Sequence, residues 1–192
     1  MQLKNLQTKF LGRNTIYYNE IDSTQSEIWR LIKESSSPNG TLVFADIQTK
    51  GTGTHGRVWY TDEKGNIAFS FFIQMDCNIQ NLDGITKEIA NIIVNIFKKQ
   101  YGITLSVKEP NDIVYKNKKV GGILTQTRLV CEKVKYLVVG IGINTEKEKF
   151  TDDIKNIATS IRKEFNINVN VMQFIAEFCN VFEKVVLERI GN

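Results

Sequence analysis

Apolar residues recur along the chain in different rhythms, and each rhythm predicts an element. Ile67, Phe69, Phe71, Ile73 and Met75 alternate through "NIAFSFFIQM", the period of a strand with one face on a core. Ile85, Ile89, Ile92, Ile93, Ile96 and Phe97 fall at helical spacing over three turns. Val171, Phe174, Ile175, Phe178, Phe182 and Val185 share one side of a closing helix over Val171–Ile190, and another helix is expected before it, around Ile154–Phe165. The apolar runs "TLVFADI", ending at Ile47, and "KYLVVGIGI", ending before Asn144, read as strands, the second of them buried. "NTIYYNEI" and "ITLSVK" are further strands, and "IVY" and "VGGILTQT" are hairpin arms joined by the polar turn "KNKK". "DSTQSEIWRLIKE" predicts a helix whose N-cap is Asp22 or Ser23. Helices early and late, with hairpin-connected strands between them, give an α+β fold: a mixed, largely antiparallel sheet covered by helices. No repeat or shift of composition divides the chain, so residues 1–192 read as one domain.

Composition narrows the chemistry. The 192 residues include two prolines and no long Ser/Gly tract, which argues against a linker or a disordered arm. A net charge of +4, from 25 basic and 21 acidic residues, is too mild to imply nucleic acid and suits an anionic small molecule or an acidic protein. No apolar run approaches a membrane span and the N-terminal residues lack a signal-peptide core, so the chain reads as cytoplasmic. Cys77, Cys131 and Cys179 are widely spaced, with no C-x-x-C pair, and His55 is the single histidine. Disulfide frameworks, zinc sites and Ser-His-Asp hydrolysis are all poorly served by that inventory. What remains is chemistry done by position and charge.

Four segments could supply it. "GTGTHGRVW", Gly51–Trp59, follows Gln48 and an apolar strand. It reads either as a hairpin turn with Trp59 in the core, or as a loop that wraps a ligand having both a charged and a flat part. Its glycine spacing mimics a dinucleotide fingerprint, but "RVWYTDEKGN" does not start the helix that such a motif needs. "VKEPNDIVYKNKKVGG" reads as a solvated hairpin or as a rigid polar corner, with Gly121–Gly122 marking close approach. "GIGIN", ending at Asn144, and "DSTQ", Asp22–Gln25, are each open to a packing or capping role. Together, however, the four ends would gather Arg57, Lys108, Lys119, Asn111, Asp112 and Asn144. Cations and amide donors of that kind suit a triphosphate, and nucleotidyl transfer needs mainly alignment and charge neutralisation from its protein.

With these segments in this order, the sequence resembles the biotin–protein ligases. That family's G-R-G-R-x-G-R-x-W loop corresponds to Gly51–Trp59, and its K-W-P-N-D to Lys108-Glu109-Pro110-Asn111-Asp112. Its K-x-x-G strand corresponds to Lys119–Gly122, its G-x-G-I-N to Gly140–Asn144, and its D-S-T-N to Asp22–Gln25. The likeness runs from about Asn14 to Asn144, and "IATSI" near Ala158 extends it. It implies the catalytic domain that this family shares in outline with class II aminoacyl-tRNA synthetases. It also implies a two-step ligase. The biotin carboxylate attacks the α-phosphate of Mg-ATP (magnesium accompanying the nucleotide), and a lysine of a biotin carboxyl carrier domain then takes the biotinyl group from biotinyl-5′-AMP.

By the same resemblance Ser23, Thr24 and Gln48 hold the biotin head, and Gly51, Thr52 and Thr54 fold over it. Trp59 orders the adenine side. Arg57, Lys108, Asn111 and Lys119 face phosphates, with Asp112 beside them in the nucleotide site, and Asn144 lies near the ribose or phosphates. Lys119, Arg57 and Lys108 are the expected catalytic residues, Lys119 lying between carboxylate and α-phosphate, and Gly122 admits close approach to biotin.

The sequence also departs from the family. Thr52 and Thr54 stand where the family has arginines, and threonine lacks the charge and fork of a guanidinium. A looser hold on the adenylate is therefore expected, partly offset by His55 and Arg57. Glu109 replaces a tryptophan and brings negative charge towards the phosphates. With no helix-turn-helix before Asn14, a repressor role is not expected. A small β-rich C-terminal domain, common in the family, is likewise not seen. The alternatives are a biotin- or adenylate-binding module without ligase activity, and a lipoate–protein ligase, whose R-R-x-S-G-G-G-type loop is absent. Monomer and homodimer are both compatible with the sequence; no membrane or nucleic-acid partner is expected.

Overall fold

The computed structural model describes residues 3–61 and 64–190. The seven strands are β1 (Thr15–Ile21), β2 (Leu42–Gln48), β3 (Ile67–Asn78), β4 (Ser106–Lys108), β5 (Asp112–Tyr115), β6 (Lys118–Val130) and β7 (Lys133–Ile143). They form one sheet in the order β1-β2-β3-β7-β6-β5-β4. β1 and β2 pair in parallel, and every other neighbouring pair is antiparallel. A parallel pair needs a crossover, which α1 (Thr24–Glu34) supplies. The mixed, largely antiparallel α+β architecture expected from the sequence is thus the one found.

The alternation in β3 sends Ile67, Phe69, Phe71, Ile73 and Met75 to one face, where α2 (Ile85–Tyr101) and α4 (Val171–Ile190) cover them. Phe71 meets Phe182 at 5.5 Å between ring centroids, Phe69 meets Phe178 at 5.6 Å, and Phe97 of α2 meets Phe174 of α4 at 5.2 Å. Ala68, Ser70 and Phe72 are buried too, because α1 lays Ile28 and Ile32 on the opposite face, against Val43, Phe72 and Val138. The sheet centre is therefore covered on both sides. All six apolar residues that set the period of α2 are buried. That helix stops at Gly102 (φ 68°), whose N–H reaches Lys98 O at 3.2 Å while Ile103 N–H reaches Phe97 O. Glycine adopts this left-handed C-terminal conformation without steric cost.

Three boundaries differ from expectation. The hairpin of β5 and β6 turns at Lys116–Asn117 (φ 45° and 65°), so Lys118 and Lys119 belong to β6 rather than to the turn. A two-residue turn with both φ values positive matches the twist of the strands that it joins. Of "ITLSVK", Ser106–Lys108 pairs as β4, while Ile103 and Leu105 point into the core. The helix expected around Ile154–Phe165 is confined to α3 (Ile161–Phe165). Ser160 caps it by accepting from Lys163 N at 3.2 Å. Residues 157–159 are instead held by β6: Lys119 N–H donates to Ile157 O at 2.7 Å, and Thr159 N–H to Lys119 O at 2.9 Å. Pairing with the sheet outweighs helical periodicity there, and it carries the segment past Lys119.

The N-terminal segment is fastened to α4 by the Asn180 amide, which bonds to Gln7 N–H and Asn5 O, and by one carboxylate. Glu183, 4 % exposed, accepts from the N–H groups of Lys9, Phe10 (2.9 Å) and Leu11 (2.8 Å). Hydrogen bonds to a charged group are individually strong, and donors left unpaired in the interior are costly. Glu183→Ala is expected to lower unfolding free energy by about 3 kcal/mol in urea denaturation; a change below about 1 kcal/mol would show that these donors find other acceptors. No helix among the described residues is long and apolar enough to cross a membrane.

Candidate active site

The site forms where the N-terminus of α1 meets the end of β2 and the glycine-bearing stretches of β6 and β7. Ser23 caps α1, its hydroxyl accepting from Ser26 N. Asp22, just before it, is fixed by Arg30, with Nη1–Oδ2 2.9 Å and Nη2–Oδ1 2.7 Å, and by the Ser23 N–H at 2.7 Å. The Arg30 hydrogen bonds bring the Asp22 carboxyl down from its ordinary 3.8 to about 2. Because the folded value lies below the unfolded one, the pair stabilises the fold above about pH 4 and this contribution fades towards about pH 2. Both side chains are more than a third exposed, so less than about 1 kcal/mol is at stake. Stabilities of wild type and Asp22→Asn should therefore converge between those two pH values; a gap independent of pH would exclude this ion pair as its source.

Thr24 and Gln48 lock the next layer. Gln48 Oε1 accepts from Thr24 N (2.8 Å) and Oγ1 (3.1 Å), while Gln48 Nε2 donates to Thr61 Oγ1 at 3.1 Å. Thr24 Oγ1 also lies 2.8 Å from Ser70 Oγ, the one hydroxyl in the apolar run of β3. Gln25, 5 % exposed, donates to Gln126 Oε1 at 3.0 Å, and Trp29 Nε1 donates to the same oxygen at 2.7 Å. Gln25 Oε1 itself is buried with no hydrogen-bond partner among the described residues. It faces Gly140, where an added Cβ would lie 2.5 Å from it. A buried acceptor without a donor is costly, and this one lines a cavity.

The segment 51–59 closes on itself as a small hairpin. Gly53 N–H reaches Arg57 O at 2.7 Å, Trp59 N–H reaches Gly51 O at 2.8 Å, and Thr54–Gly56 form a tight 3-10 turn. Gly51 is required because a Cβ there would fall 2.3 Å from Trp59 O. Trp59 does not enter the core. Its indole lies over Gly142, where a Cβ would sit 2.3 Å from Cε2, with the ring edge near Gly122. Lys119 Nζ stands 5.7 Å from the Trp59 ring and 2.6 Å from Asp112 Oδ1.

Two cavities result, sharing Gly53, Thr54, Trp59 and Lys119 as their common wall. The first is lined by hydroxyls and amides (Ser23, Thr24, Gln25, Gln48, Thr52, Asn111) and by the backbone of Gly122, Gly140 and Gly142. The second holds Arg57, Lys119 and Lys147 beside Tyr60, Asn144, Phe150 and Ile154. Most of the expected residues are thus gathered, with clear exceptions. Gly51 supports the loop without lining either cavity, and Asp112 acts through Lys119. Lys108 stands opposite Asp112 on exposed β4 and lines neither cavity. His55 is likewise exposed and outside both. Arg57 lines the second cavity, but its guanidinium bonds back to Thr54 O and Oγ1, each at 3.3 Å. Asn111 and Asn144 donate their side-chain N–H groups to Ile123 O (3.0 Å) and Thr159 O (3.2 Å), which fixes the strands around the site. Glu109 pairs with Lys87 at 2.5 Å, outside both cavities.

Sequence reasoning missed Gln25, Ser70, Tyr60, Lys147 and Phe150. Gln25 closes the "DSTQ" segment without having been given a role, and a lone serine inside "IAFSFF" was a signal for Ser70; no local pattern marks Tyr60, Lys147 or Phe150, which reach the site through tertiary folding.

Comparison with known proteins gives the chain its family. The chain is 33 % identical over 181 residues to the bifunctional ligase/repressor BirA of Bacillus subtilis, covering 93 % of this chain and 55 % of that protein. It therefore spans about half the length of the curated relatives that it matches. The biotin protein ligase R40G mutant from Aquifex aeolicus, solved with biotin, superposes with a TM-score of 0.75 at 27 % identity, over 93 % of this chain and 72 % of the other. The Aquifex aeolicus biotin protein ligase solved with biotin and ATP gives 0.71 at 30 %, over 93 % and 71 %. Residues 17–144 match the biotin/lipoate A/B protein ligase family, and the chain belongs to that family.

Proposed function

We propose that this chain is an ATP-dependent biotin–protein ligase. The observation that carries the reading is the shared wall: one lysine and one tryptophan border both a hydroxyl- and amide-lined cavity and a cation-lined one. A ureido group offers N–H donors and a carbonyl acceptor, which Ser23, Thr24, Gln48 and the unpartnered Gln25 Oε1 complement. The nucleotide takes the second cavity, with its base among Trp59, Tyr60 and Phe150. Lys119 then lies where the biotin carboxylate meets the α-phosphate. A carboxylate oxygen attacks the α-phosphorus, the bond to the bridging oxygen breaks, and pyrophosphate leaves with that electron pair. Lys119 neutralises charge that grows in this step, and Asp112 holds its ammonium in place. The ε-amine of a lysine on a biotin carboxyl carrier domain next attacks the acyl carbon of biotinyl-5′-AMP. AMP departs, and the nitrogen loses its proton as the amide forms.

Magnesium enters as the counter-ion of ATP; among the described residues no cluster of three His, Cys, Asp or Glu stands ready to hold a metal of its own. Lys108 has no part in this reading. Cytoplasmic residence, one catalytic domain over residues 1–192 and a carrier-domain partner belong to the same proposal. It is tested by ATP–pyrophosphate exchange with biotin, lipoate and octanoate in parallel. Exchange with biotin is expected. Biotin binding without exchange for any acid would make the protein a binding module, and exchange with lipoate alone would make it a lipoate ligase.

A further inference from the structure

Gln25 and Trp29 stand one helical turn apart and so share a face of α1, the face that meets Gln126 of β6. Gln126 Oε1 accepts from both, from Trp29 Nε1 at 2.7 Å and from Gln25 Nε2 at 3.0 Å. The nitrogen and oxygen of a glutamine amide are told apart by the partners around them, and here the partners leave one arrangement. An indole N–H donates and never accepts, so Gln126 must turn its oxygen to Trp29. Turned the other way, its Nε2 would face the indole donor to donor. With that oxygen fixed, Gln25 must present Nε2 to it, because its own oxygen there would set two acceptors 3.0 Å apart. Gln25 Oε1 is thereby sent to the other side, over Gly140, where the missing side chain leaves room for it. Neighbouring acceptors of the first cavity are already engaged: Gln48 Oε1 accepts twice from Thr24, and Ser23 Oγ accepts from Ser26 N–H. Gln25 Oε1 accepts from no described residue.

We propose that Trp29, through Gln126, is a positioning residue that holds Gln25 as an acceptor and thereby makes the first cavity select a ligand with a ring N–H beside Gly140. This rests on the function proposed above and deepens it, since a cyclic urea carries such a donor, whereas the ring of lipoate and the chain of octanoate carry none. The terminal torsion of glutamine is soft, so a small turn brings Oε1 onto the ligand N–H while Nε2 keeps its hydrogen bond to Gln126. A buried acceptor without a donor is costly. A ligand that brings an N–H removes that cost, and one that brings another acceptor or a methylene does not. Trp29 and Gln126 line neither cavity. Their part is to exclude the flipped amide, which would put Nε2 over Gly140 and invert the preference.

Calorimetric titration with biotin and its two cyclic carbamate analogues, each with oxygen in place of one ring N–H, tests this on wild type, Gln25→Met, Trp29→Phe and Trp29→Phe/Gln126→Glu. In wild type one analogue is expected to bind about tenfold to a hundredfold more weakly than biotin through its loss at Gln25. Gln25→Met, which keeps the length of the side chain and lacks the acceptor, is expected to weaken biotin by a similar factor. It should also bring biotin and that analogue within about threefold of each other, because both changes act on one contact. Trp29→Phe frees Gln126 to turn, and a loss of biotin affinity of about threefold to tenfold is expected. A carboxylate only accepts, so adding Gln126→Glu is expected to restore biotin affinity to within about twofold of wild type. A role of Trp29 in packing alone would not be rescued in this way. Equal discrimination by wild type and Gln25→Met would overturn the assignment of Gln25, and absence of rescue would overturn the relay from Trp29. Should Gln25→Met fail to fold, the rescue in the Trp29→Phe background decides by itself. Failure of wild type to bind biotin would instead remove the reading of the first cavity, a result distinct from any effect of the variants.

Discussion

Lys119→Ala is expected to reduce biotin-dependent ATP–pyrophosphate exchange by at least about a hundredfold, the scale for removing a preorganised charge from a developing anion. Biotin affinity should change far less, because Ser23, Thr24 and Gln48 remain locked to one another and to Ser70 and Thr61. The backbone of residue 119 holds Ile157 and Thr159 through its own N–H and C=O, so truncating the side chain leaves that pairing in place. Asp112, 27 % exposed on its side chain, stays hydrated once its partner is gone. The variant therefore separates chemistry from folding. Exchange at the wild-type rate would remove Lys119 from the mechanism, whereas equal losses of exchange and biotin affinity would make it a binding group only.

Gly142→Ala should be nearly as damaging although it adds one methyl group. That methyl would lie 2.3 Å from Trp59 Cε2 and 2.5 Å from Nε1, so the indole must leave its seat. With it goes the wall common to both cavities and the aromatic face near Lys119 Nζ. Biotin and nucleotide affinities are both expected to fall by about tenfold or more. The backbone is not the obstacle, since β7 is paired on both sides and alanine tolerates a strand. In a Trp59→Ala background the same substitution should add little, because the two changes act through one contact. Additive losses in that double variant would show that Gly142 serves something other than the tryptophan. Gly53→Ala is a milder control, its Cβ coming no closer than 3.3 Å to Arg57 O.

What was legible in the sequence is what depends on local periodicity and on motif chemistry. The two-residue rhythm of β3 and the helical rhythms of α2 and α4 reflect a one-sided core, and elements of that length keep their pattern whatever lies nearby. The N-cap at Asp22 or Ser23, which the structure assigns to Ser23, and the family's motif order were readable for the same reason, since each is written within a few residues. Ser23, Thr24, Gln48, Thr52, Thr54, Arg57, Trp59, Asn111, Lys119, Gly122 and Asn144 all line one cavity or the other.

What tertiary structure decided is where charges and short segments go once strands pair. "IKNIAT" has the composition of a helix start, yet residues 157–159 join β6 because the main-chain groups of Lys119 offer them partners. Lys108 and Glu109 sit in the motif that matches the family's K-W-P-N-D, yet the register of β4 leaves Lys108 exposed beside Asp112 and Glu109 turns to Lys87, on another element. Lys147 and Phe150 carry no motif, yet they line a cavity because Asn66, nearly eighty residues earlier, fixes the backbone at Thr145. Sequence alone determined the elements and most of the chemistry that they carry. Which cations face the second cavity depends on strand register and on hydrogen bonds between residues far apart in the chain, and only the folded sheet settles those.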